Sequence, residues 1–484
     1  MIDILAVLVA LGLLMYLAFR GLTLLILAPG MALLAALLAG GLPLLAAYTQ
    51  IFMTATGGFI ITFFPLFMLG AIFGKLMEDS GSAKSIARAV IARLGAERAI
   101  MAVVLCCGVL TYGGVSLFVV AFAIFPVAAA LFRDADIPKR LIPGTLALGA
   151  FTFTMSALPG TPAIQNAIPM PFFGTTAFAA PGLGVITGII MFALGTAWLA
   201  RRSAKARAAG EGYGAHDDSL PAPDGVMREH VQGCGFDINE LTGGHAEAAA
   251  PPPFWLALAP VVIVIAVNFA FVQLLVPLMN TAFLAEPRFG ATTIENVRGV
   301  WAIIVALFLA ILFLLLANRA RFESVKTTLN HGADAAVLPI FNVASLVGFG
   351  AVIAALPAFD MIREAVLSIG AGNPLISLAA AVNVLSALTG SASGGMSIAL
   401  DALGAAYVRM AHDYGISLEA MHRVTAVASG ALDALPHNGA VITILSICKL
   451  SHREAYFDVF AVAVVVPMIS LVALILLATL FGAF

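Results

Sequence analysis

Two short polar runs interrupt long apolar stretches of the chain and carry side chains that can bind ions. The first runs from Ser156 to Thr161 (Ser-Ala-Leu-Pro-Gly-Thr), and the second runs from Asp433 to Asn438 (Asp-Ala-Leu-Pro-His-Asn). A proline inside a helix removes a backbone hydrogen bond and clashes with the preceding turn, so each run predicts a broken helix. The half-helix after a break directs unpaired N–H groups and the positive end of its dipole at the break, which suits a carboxylate.

Two Gly- and Ser-rich runs, Thr111 to Ser116 and Leu388 to Ser397, offer similar chemistry, because hydroxyls donate hydrogen bonds and glycines allow close backbone approach. We therefore predict one anion site from the breaks and these runs together. Its predicted residues are Thr111, Tyr112, Gly113, Gly114, Ser116, Gly160, Thr161 and Asn166 in the first half, and Ser391, Ser393, Gly394, Gly395, Ser397, His437 and Asn438 in the second. The alternative is that the small residues only allow helices to pack closely, as they commonly do in membranes.

Asp433 is the most informative single residue, since an ionisable side chain at membrane depth is costly and usually functional. We predict that it binds the coupling ion, either as a proton carrier or by holding Na⁺ together with unwound carbonyls. Ser156, its counterpart in the first run, and Asp401, a second acid expected to be hydrogen-bonded within the bundle, complete the predicted ion set. The alternative for Asp433 is a cap on the half-helix that follows. His437 is open to two interpretations, a proton relay or a residue satisfied by backbone.

Charge near the breaks bears on the substrate class. The first hairpin and break contain no Arg or Lys, and the nearest cations of the second half, Arg409 and Arg423, are expected in an outer loop. A tricarboxylate ordinarily draws a bidentate Arg. A small hydroxylated or keto monocarboxylate is therefore favoured over a citrate-like substrate. Asn268, Gln273 and Asn342 are interpreted as hydrogen bonders between helices rather than as ligands.

Composition defines the class of protein that must position these residues. Of 484 residues 62% are hydrophobic and 10% charged, and the mean hydropathy is +1.06, values typical of an integral membrane protein with many spans. A net charge of -2 without a basic block excludes nucleic-acid binding. The chain has no Walker A loop, HExxH or GxSxG motif for ATP hydrolysis, zinc proteolysis or hydrolase chemistry. Four cysteines without paired spacing (Cys106, Cys107, Cys234 and Cys448) predict neither a disulfide nor a metal site, and we expect no cofactor.

The apolar stretches predict an all-α integral membrane protein in two halves, residues 1–200 and 254–484, joined by a flexible cytoplasmic linker, 201–253. Apolar spans are expected at 3–19, 22–40, 57–74 and 181–200, then at 254–278, 299–317, 335–356 and 457–482. Each half also contains an interrupted region that predicts a re-entrant hairpin, 99–132 and 374–408, and a broken helix, 140–178 and 424–448. Residues 75–98 predict an amphipathic surface helix.

The two halves repeat one order of elements. Three landmarks recur: Pro65-Leu66-Phe67 with Pro339-Ile340-Phe341, Gly113-Gly114-Val115-Ser116 with Gly394-Gly395-Met396-Ser397, and Ser156-Ala157-Leu158-Pro159 with Asp433-Ala434-Leu435-Pro436. Their offsets are 274, 281 and 277 residues. Ordered matches at nearly constant spacing indicate an internal repeat.

The distribution of positive charge predicts how each half sits in the membrane. If the N-terminus is outside and the hairpins enter and leave on one side, 19 of the 24 Lys and Arg residues fall inside, as cytoplasmic loops require. Each half then makes five crossings, and an odd number of crossings inverts the second half relative to the first. Inverted repeats with paired broken helices are typical of secondary transporters that bind substrate near the bilayer midplane.

The residues also resemble a known family. The stretch from Gly70 to Arg88, the Tyr112-Gly113-Gly114 turn and the Leu158-Pro159-Gly160 break are similar to the gluconate permease (GntP) family of bacterial symporters. The resemblance implies an inner-membrane homodimer of the ion-transporter superfamily with elevator-type movement. It also implies a substrate among gluconate and related sugar acids, 3-hydroxybutyrate or D-serine, usually coupled to protons. The first break reads Ser-Ala-Leu-Pro-Gly-Thr-Pro here, where gluconate members have a His- and Pro-rich version, and this difference weakens the case for gluconate itself.

The function predicted from the sequence is cation-coupled import of a small hydroxy-monocarboxylate, with H⁺ favoured over Na⁺. The alternatives are a Na⁺-coupled carrier of di- or tricarboxylates and a membrane-embedded enzyme. An enzyme would need a converging nucleophile or metal cluster, and Asp433 with His437 on one break is a poor one. We therefore expect a transporter and not an enzyme.

Overall fold

A computed structural model describes residues 2–20, 22–220, 251–357, 359–370, 372–436 and 438–484. Within these ranges the chain forms helices and no strand, so the predicted all-α fold is confirmed. The helices of the first half are α1 Ile2–Phe19, α2 Leu24–Ala39, α3 Leu44–Asp79, α4 Ser82–Leu94, α5 Ala99–Tyr112, α6 Leu117–Asp134, α7 Ile142–Ala150, α8 Phe153–Ser156, α9 Ile164–Ala167, α10 Pro169–Phe173 and α11 Pro181–Ala208.

The second half repeats this order. Its helices are α12 Phe254–Leu278, α13 Ile294–Ala317, α14 Val325–Ala354, α15 Phe359–Leu367, α16 Pro374–Thr389, α17 Ala392–Asp413, α18 Leu418–Ser429, α19 Gly439–Ile447 and α20 His452–Phe481. Seven helices of the described residues are long and apolar enough to cross a bilayer, namely α3, α6, α11, α12, α13, α14 and α20. Helices α1 and α2 are equally apolar but shorter.

Both interrupted regions fold as pairs of helices joined at glycine. Helices α5 and α6 meet at Gly113-Gly114, and α16 and α17 meet at Gly390, where positive φ angles of 95° at Gly114 and 61° at Gly390 favour glycine. Gly113 and Gly390, which follow the first arm of each hairpin, lie 277 residues apart, which equals the offset of Ser156 and Asp433 and is close to that of Pro65 and Pro339. The predicted pairing of Gly113-Gly114 with Gly394-Gly395 at 281 is therefore wrong by one helical turn, because the second Gly-Gly pair lies inside α17.

The long helices α3 and α14, one from each half, pack against each other. Glycines permit the contact: a Cβ at Gly332 would lie 2.7 Å from the Ile72 Cα atom, and one at Gly348 would lie 2.8 Å from the Phe52 carbonyl oxygen. Close approach at small residues is the usual mode of helix association in membranes. Helices α2 and α13 pack on this pair, α1 packs on α2, and α12 packs on α13, forming the group of helices that we call the frame.

The hairpins and broken helices pack together beside the frame. Helix α10, after the first break, packs on α17 of the second hairpin, and α19, after the second break, packs on α6 of the first hairpin. Because each broken helix packs on the hairpin of the other half, the four elements interlock. With α11 and α20 we call them the mobile unit.

The linker between the halves begins later than the sequence predicts. Helix α11 continues to Ala208, and residues 209–220 lie on the loop 133–140, held by ion pairs of Glu211 with Arg140 and of Asp218 with Lys139. The prediction of a flexible chain from residue 201 is therefore wrong for 201–220, because neighbouring cations fix these residues. Residues 221–250, with Cys234, lie outside the described part of the chain.

Candidate functional site

A cavity of about 220 Å³ lies between the frame and the mobile unit. The first hairpin tip contributes Thr111, Gly114 and Ser116, and the second contributes residues 390–393. The first break contributes residues 162–165, and the second contributes Asp433, Asn438 and Ala440. Both hairpin tips and both breaks, which are far apart in sequence, therefore meet at one place.

The frame closes the cavity on the opposite side. It contributes residues between Leu66 and Ala71 of α3, and between Ala335 and Leu346 of α14. Pro65 and Pro339 lie at this level of the two helices and recur at the 274-residue offset. The cavity is thus bounded by the frame on one side and by the mobile unit on the other.

Three helices begin at the cavity. Helix α6 begins after Ser116 and α17 after Ser391, and α19 begins after Asn438. The positive dipole end makes such a place favourable for an anion. Ser391 and Asn438 cap some of the first-turn N–H groups of α17 and α19, whereas the side chain of Ser116 does not cap α6. The first break provides a weaker helix N-terminus for an anion than the sequence predicts, because the helix after it, α9, has only four residues.

Asp433 borders both the cavity and a smaller adjoining space that contains Ser156 and Met155, and its side chain is partly exposed there. It is the one ionisable side chain among the described residues that line the cavity. The alternative interpretation of Asp433 as a helix cap is wrong. Asn438 caps α19, since its Oδ1 atom accepts from the backbone N–H groups of Ala440 at 2.7 Å and Val441 at 3.2 Å.

Asn438 also joins the second break to the second hairpin, because its Nδ2 atom donates to the Gly390 carbonyl oxygen at 2.7 Å. Thr161 holds the equivalent place in the first break, but it is fully buried, and its Oγ1 atom accepts from the Ala163 N–H group at 3.2 Å. His437 lies outside the described residues. Asn438 is therefore a helix cap, whereas Thr161 closes a local turn, and of the two only Asn438 faces the cavity.

Several predicted site residues serve packing instead. A Cβ at Gly395 would lie 2.2 Å from the Ser386 backbone nitrogen, and one at Gly394 would lie 2.4 Å from the Leu346 Cδ1 atom. Ser397 donates to the Ser393 carbonyl oxygen at 2.7 Å within its own helix. For Gly394, Gly395 and Ser397 the packing alternative holds.

In the first half, too, several predicted site residues pack against neighbouring elements and do not line the cavity. The Tyr112 hydroxyl donates to the Pro159 carbonyl oxygen at 2.6 Å, which fixes the first break to the first hairpin. A Cβ at Gly160, where φ is 85°, would lie 2.7 Å from the ring of Phe178, and one at Gly113 would lie 2.6 Å from Val261. These residues shape the break and the tip without lining the cavity.

Asp401 lies on the second arm of the hairpin and is exposed, away from the cavity lining. The expectation that it is hydrogen-bonded within the bundle is therefore wrong. Of the three residues predicted to bind the coupling ion, Asp433 and Ser156 come together and Asp401 does not.

Arg423 is fully buried within α18, so its predicted place in an outer loop is wrong. Its guanidinium donates to the carbonyl oxygens of Ala179 at 2.7 Å and Ser156 at 3.2 Å, and to the Asn166 Oδ1 atom at 3.0 Å. No acidic side chain within the described residues forms an ion pair with it. Arg423 therefore satisfies carbonyl groups that the first break leaves unpaired.

Asn166 belongs to this buried network rather than to the cavity. Its Nδ2 atom donates to the carbonyl oxygens of Thr161 and Ala177, each at 3.0 Å, and its Oδ1 atom lies 3.1 Å from the His422 Nε2 atom. Asn166 therefore holds the backbone of the first break in place from the buried side, away from the cavity.

Two cavity residues were missed by the sequence prediction. Asn342 is 1% exposed, lines the cavity, and both polar atoms of its amide lack a hydrogen-bond partner in the described protein. Gln165 lines the opposite wall, and its Oε1 atom also lacks a partner there. The interpretation of Asn342 as a bonder between helices is wrong.

An all-α membrane protein whose cavity is bordered by two hairpin tips and two helix breaks has the architecture of a membrane transporter. The sequence is 43% identical over 474 residues to a Bacillus subtilis (strain 168) protein named "Uncharacterized transporter YxjC", and the match covers 96% of each chain. The protein therefore belongs to the family of that transporter.

Solved structures agree with this fold. The chain resembles the YdaH transporter of Alcanivorax borkumensis, described as having an unusual topology, with a TM-score of 0.57 over 89% of each chain and 16% identity. It also resembles MtrF of Neisseria gonorrhoeae, which is described with a class of antimetabolite efflux pumps, with a TM-score of 0.54, 12% identity and coverage of 90% and 84%. No family model matches the chain. At these identities the structural likeness concerns the fold.

Proposed function

We propose that the protein is a cation-coupled symporter for a small hydroxy-monocarboxylate such as 3-hydroxybutyrate or a sugar acid like gluconate, with H⁺ as the coupling ion. The observation that carries the proposal is the composition of the cavity. Three helix N-termini border it, and Asp433 is its one ionisable lining residue within the described chain. The site therefore offers one region for an anion and one carboxylate for a cation.

These two features couple the ion to the substrate. An ionised Asp433 repels a bound carboxylate by about 3 kcal/mol, for a separation of about 6 Å and an effective dielectric constant of about 20, or roughly 100-fold in affinity. Neutralisation of Asp433 by a proton or Na⁺ removes this repulsion. Because coupling between two ligands is reciprocal, the bound anion also favours the cation. This linkage is the thermodynamic basis of symport.

The size and charge of the cavity favour one carboxylate. Its volume of about 220 Å³ is below the range for drug-sized ligands. No Arg or Lys lines it within the described residues, whereas a tricarboxylate would ordinarily draw such a partner. The same observations argue against the Na⁺-coupled tricarboxylate alternative.

Contacts near the helix ends support the proposed inversion of the two halves. Residues expected near the inner face contact one another: Thr328 of α14 donates to Asp79 at the end of α3 at 2.7 Å, and Ser85 of α4 donates to the Pro252 carbonyl oxygen at 2.6 Å. Residues expected near the outer face do the same, because Arg298 of α13 donates to the Gly174 carbonyl oxygen at 2.8 Å.

The proposed mechanism is elevator-type alternating access, in which the mobile unit carries the site past the frame. Its support is the position of the cavity between these two bodies. Membership of the gluconate permease family, a homodimer and the bacterial inner membrane are further parts of the proposal, and they rest on the resemblance of the Gly70 to Arg88 stretch and the two turns.

The substitution Asp433→Asn in proteoliposomes tests the coupling. Asn mimics the neutral acid, so we expect exchange of 3-hydroxybutyrate against itself to persist, while accumulation driven by a pH gradient falls to background. Separate pH and Na⁺ gradients identify the driving ion in the unsubstituted protein. Asp401→Asn makes the same chemical change outside the cavity, and we expect that variant to retain accumulation.

Three results would oppose the proposal. Gradient-driven accumulation at the original level by Asp433→Asn would remove the coupling role. Conversion of the solute during counterflow would indicate the membrane-embedded enzyme, and flux that never saturates would indicate a channel. Counterflow with citrate but with no monocarboxylate would favour the tricarboxylate alternative.

A further inference from the structure

We propose that Asn342 binds the hydroxyl group of the substrate and so determines that the protein selects hydroxy acids over the corresponding unsubstituted acids. The inference rests on the proposed function, since it assigns a role in the same cavity. It concerns a residue of the frame, whereas the expected carboxylate-binding groups belong to the mobile unit.

The first observation is the state of the Asn342 amide. The residue is 1% exposed and lines the cavity, and neither its Oδ1 nor its Nδ2 atom has a hydrogen-bond partner in the described protein. A buried amide without partners lowers stability, because both its donor and its acceptor have lost water. A ligand in the cavity is the natural partner for these two atoms.

The second observation is the complementarity of the amide to a hydroxyl. An amide offers a donor at Nδ2 and an acceptor at Oδ1, and a hydroxyl both accepts and donates. A carboxylate only accepts, so it would leave Oδ1 unpaired. Gln165 presents a second unpartnered acceptor, its Oε1 atom, from the first break. The polar lining away from the helix N-termini therefore suits a hydroxyl group better than a second carboxylate.

The third observation is the asymmetry of the repeat. At the 274-residue offset of the proline landmark, the counterpart of Asn342 in α3 is Met68, and α3 contributes only apolar residues and Gly70 to the cavity. The packing of α3 on α14 therefore does not require an amide at this level. A polar residue present in one copy and unused by the fold points to the ligand.

Specificity by a buried polar group is strong because it penalises the wrong ligand. An analogue without the hydroxyl leaves the amide unpaired, so a site of this kind discriminates by about 10- to 100-fold or more. Apolar contacts alone would bind the unsubstituted acid as well as the hydroxy acid. The unpaired amide of Asn342 thus predicts a preference for hydroxy acids over unsubstituted acids, which the carboxylate-binding groups cannot supply.

The test measures apparent affinities of 3-hydroxybutyrate and butyrate, which differ only in the hydroxyl, by counterflow in proteoliposomes. We expect the unsubstituted protein to prefer 3-hydroxybutyrate by at least about 10-fold. Asn342→Leu removes the amide at similar volume. We expect it to weaken binding of 3-hydroxybutyrate and to leave butyrate unchanged or bound more tightly, so that the ratio falls to within about 3-fold.

Asn268→Leu is the matched control. Asn268 is fully buried, and both its amide atoms lack a partner in the described protein, but it does not line the cavity. We expect the ratio of its affinities for 3-hydroxybutyrate and butyrate to equal that of the original protein. Both substitutions remove unpaired buried amides, so we expect both to preserve or raise the melting temperature without ligand. Asn342→Ala, which leaves space rather than filling it, serves if the Leu variant does not fold.

The outcomes separate the two proposals. Two results would overturn the role of Asn342 and leave the proposed function standing. One is equal affinity of the unsubstituted protein for both acids. The other is an equal loss of affinity for both acids in Asn342→Leu and in Asn342→Ala. Failure of the unsubstituted protein to exchange any monocarboxylate, hydroxylated or not, would refute the proposed function together with this inference.

Discussion

At the scale of single residues, the two halves differ where the cavity needs chemistry. Asp433 in the second half corresponds to Ser156 in the first, and Asn342 corresponds to Met68. The acid and the amide whose two polar atoms both lack a partner in the described protein, Asn342, therefore come from the second copy, although the first copy supplies the same elements of structure and one unpartnered atom, Gln165 Oε1. The two copies can keep the same packing while a few cavity residues differ between them, because most residues that line the cavity are small or apolar.

Arg423 shows how the backbone at a break is stabilised. The substitution Arg423→Leu removes a guanidinium that donates to the carbonyl oxygens of Ser156, Ala177 and Ala179 and to Asn166. We expect a loss of stability of about 3 kcal/mol or more, because these buried acceptors would be left without donors. Thermal unfolding of the purified protein in detergent, followed by fluorescence, measures the change.

Arg409→Leu is the control for this prediction. Arg409 is exposed near the end of α17, and we expect its removal to shift the melting temperature little. If Arg423→Leu melts at the same temperature as the Arg409 variant, the guanidinium does not hold the break, and its carbonyl groups must be satisfied by water.

At the scale of elements, the breaks and hairpins could be predicted from the sequence because proline and glycine act locally. Pro159 and Pro436 cannot continue a helix, and the turns at Gly113-Gly114 and Gly390 fall within the predicted hairpins. The start of α18 could also have been predicted from the sequence. Ser417 is an N-cap whose hydroxyl accepts from the Glu419 N–H group at 3.2 Å, and this capping signal places Arg423 inside a helix.

The roles of Asn342 and Gln165 could not be predicted in the same way. Their importance comes from the absence of protein partners after burial, which depends on helices distant in sequence. The packing role of Gly395 is equally non-local, since its neighbour Ser386 belongs to the other arm of the hairpin. Local sequence therefore indicates where the backbone breaks, and tertiary contacts decide which polar atoms remain available.

The segment 209–220 joins elements of the mobile unit by charge. Asp217 accepts from the Nζ atom of Lys449, which follows α19, at 2.5 Å. Asp218 pairs with Lys139, which follows α6, at 3.1 Å and with Arg133 in the last turn of α6. The bond from Lys449 holds the pKa of Asp217 well below its ordinary value, and the bond from Arg140 lowers the pKa of Glu211. The segment is thus fastened to the mobile unit by ionised carboxylates.

These lowered pKa values predict the pH dependence of the segment. A carboxylate with a depressed pKa stabilises the folded arrangement above its ordinary pKa, near 4, and the contribution disappears as the pH falls through the lowered value. A spin label at Ala215 is therefore expected to stay immobile from pH 8 to 5 and to become mobile only below about pH 4. Lys449→Met removes one anchor and should increase mobility at pH 7. Mobility that rises between pH 7 and 5 in the original protein would contradict this assignment.

At the scale of the whole molecule, the interlocked hairpins and broken helices explain how two copies make one site. Each broken helix packs on the hairpin of the other half, so neither copy can close the cavity alone. Inversion of the copies would place the first hairpin's open end inside and the second hairpin's open end outside. The mobile unit would then present similar surfaces to the two sides of the membrane, which alternating access requires.

This inversion can be tested at two equivalent positions. Asp134 ends α6 and Asp413 ends α17, and both are exposed at the ends of the second hairpin arms. In a variant with Cys106, Cys107, Cys234 and Cys448 replaced, single cysteines at positions 134 and 413 are labelled with an impermeant maleimide in intact and in inverted vesicles. We expect position 134 to react only from the inner face and position 413 only from the outer face. A permeant maleimide should label both in either vesicle. Labelling of both positions from the same face would leave the two hairpins opening to one compartment and would rule out the inverted repeat on which alternating access depends.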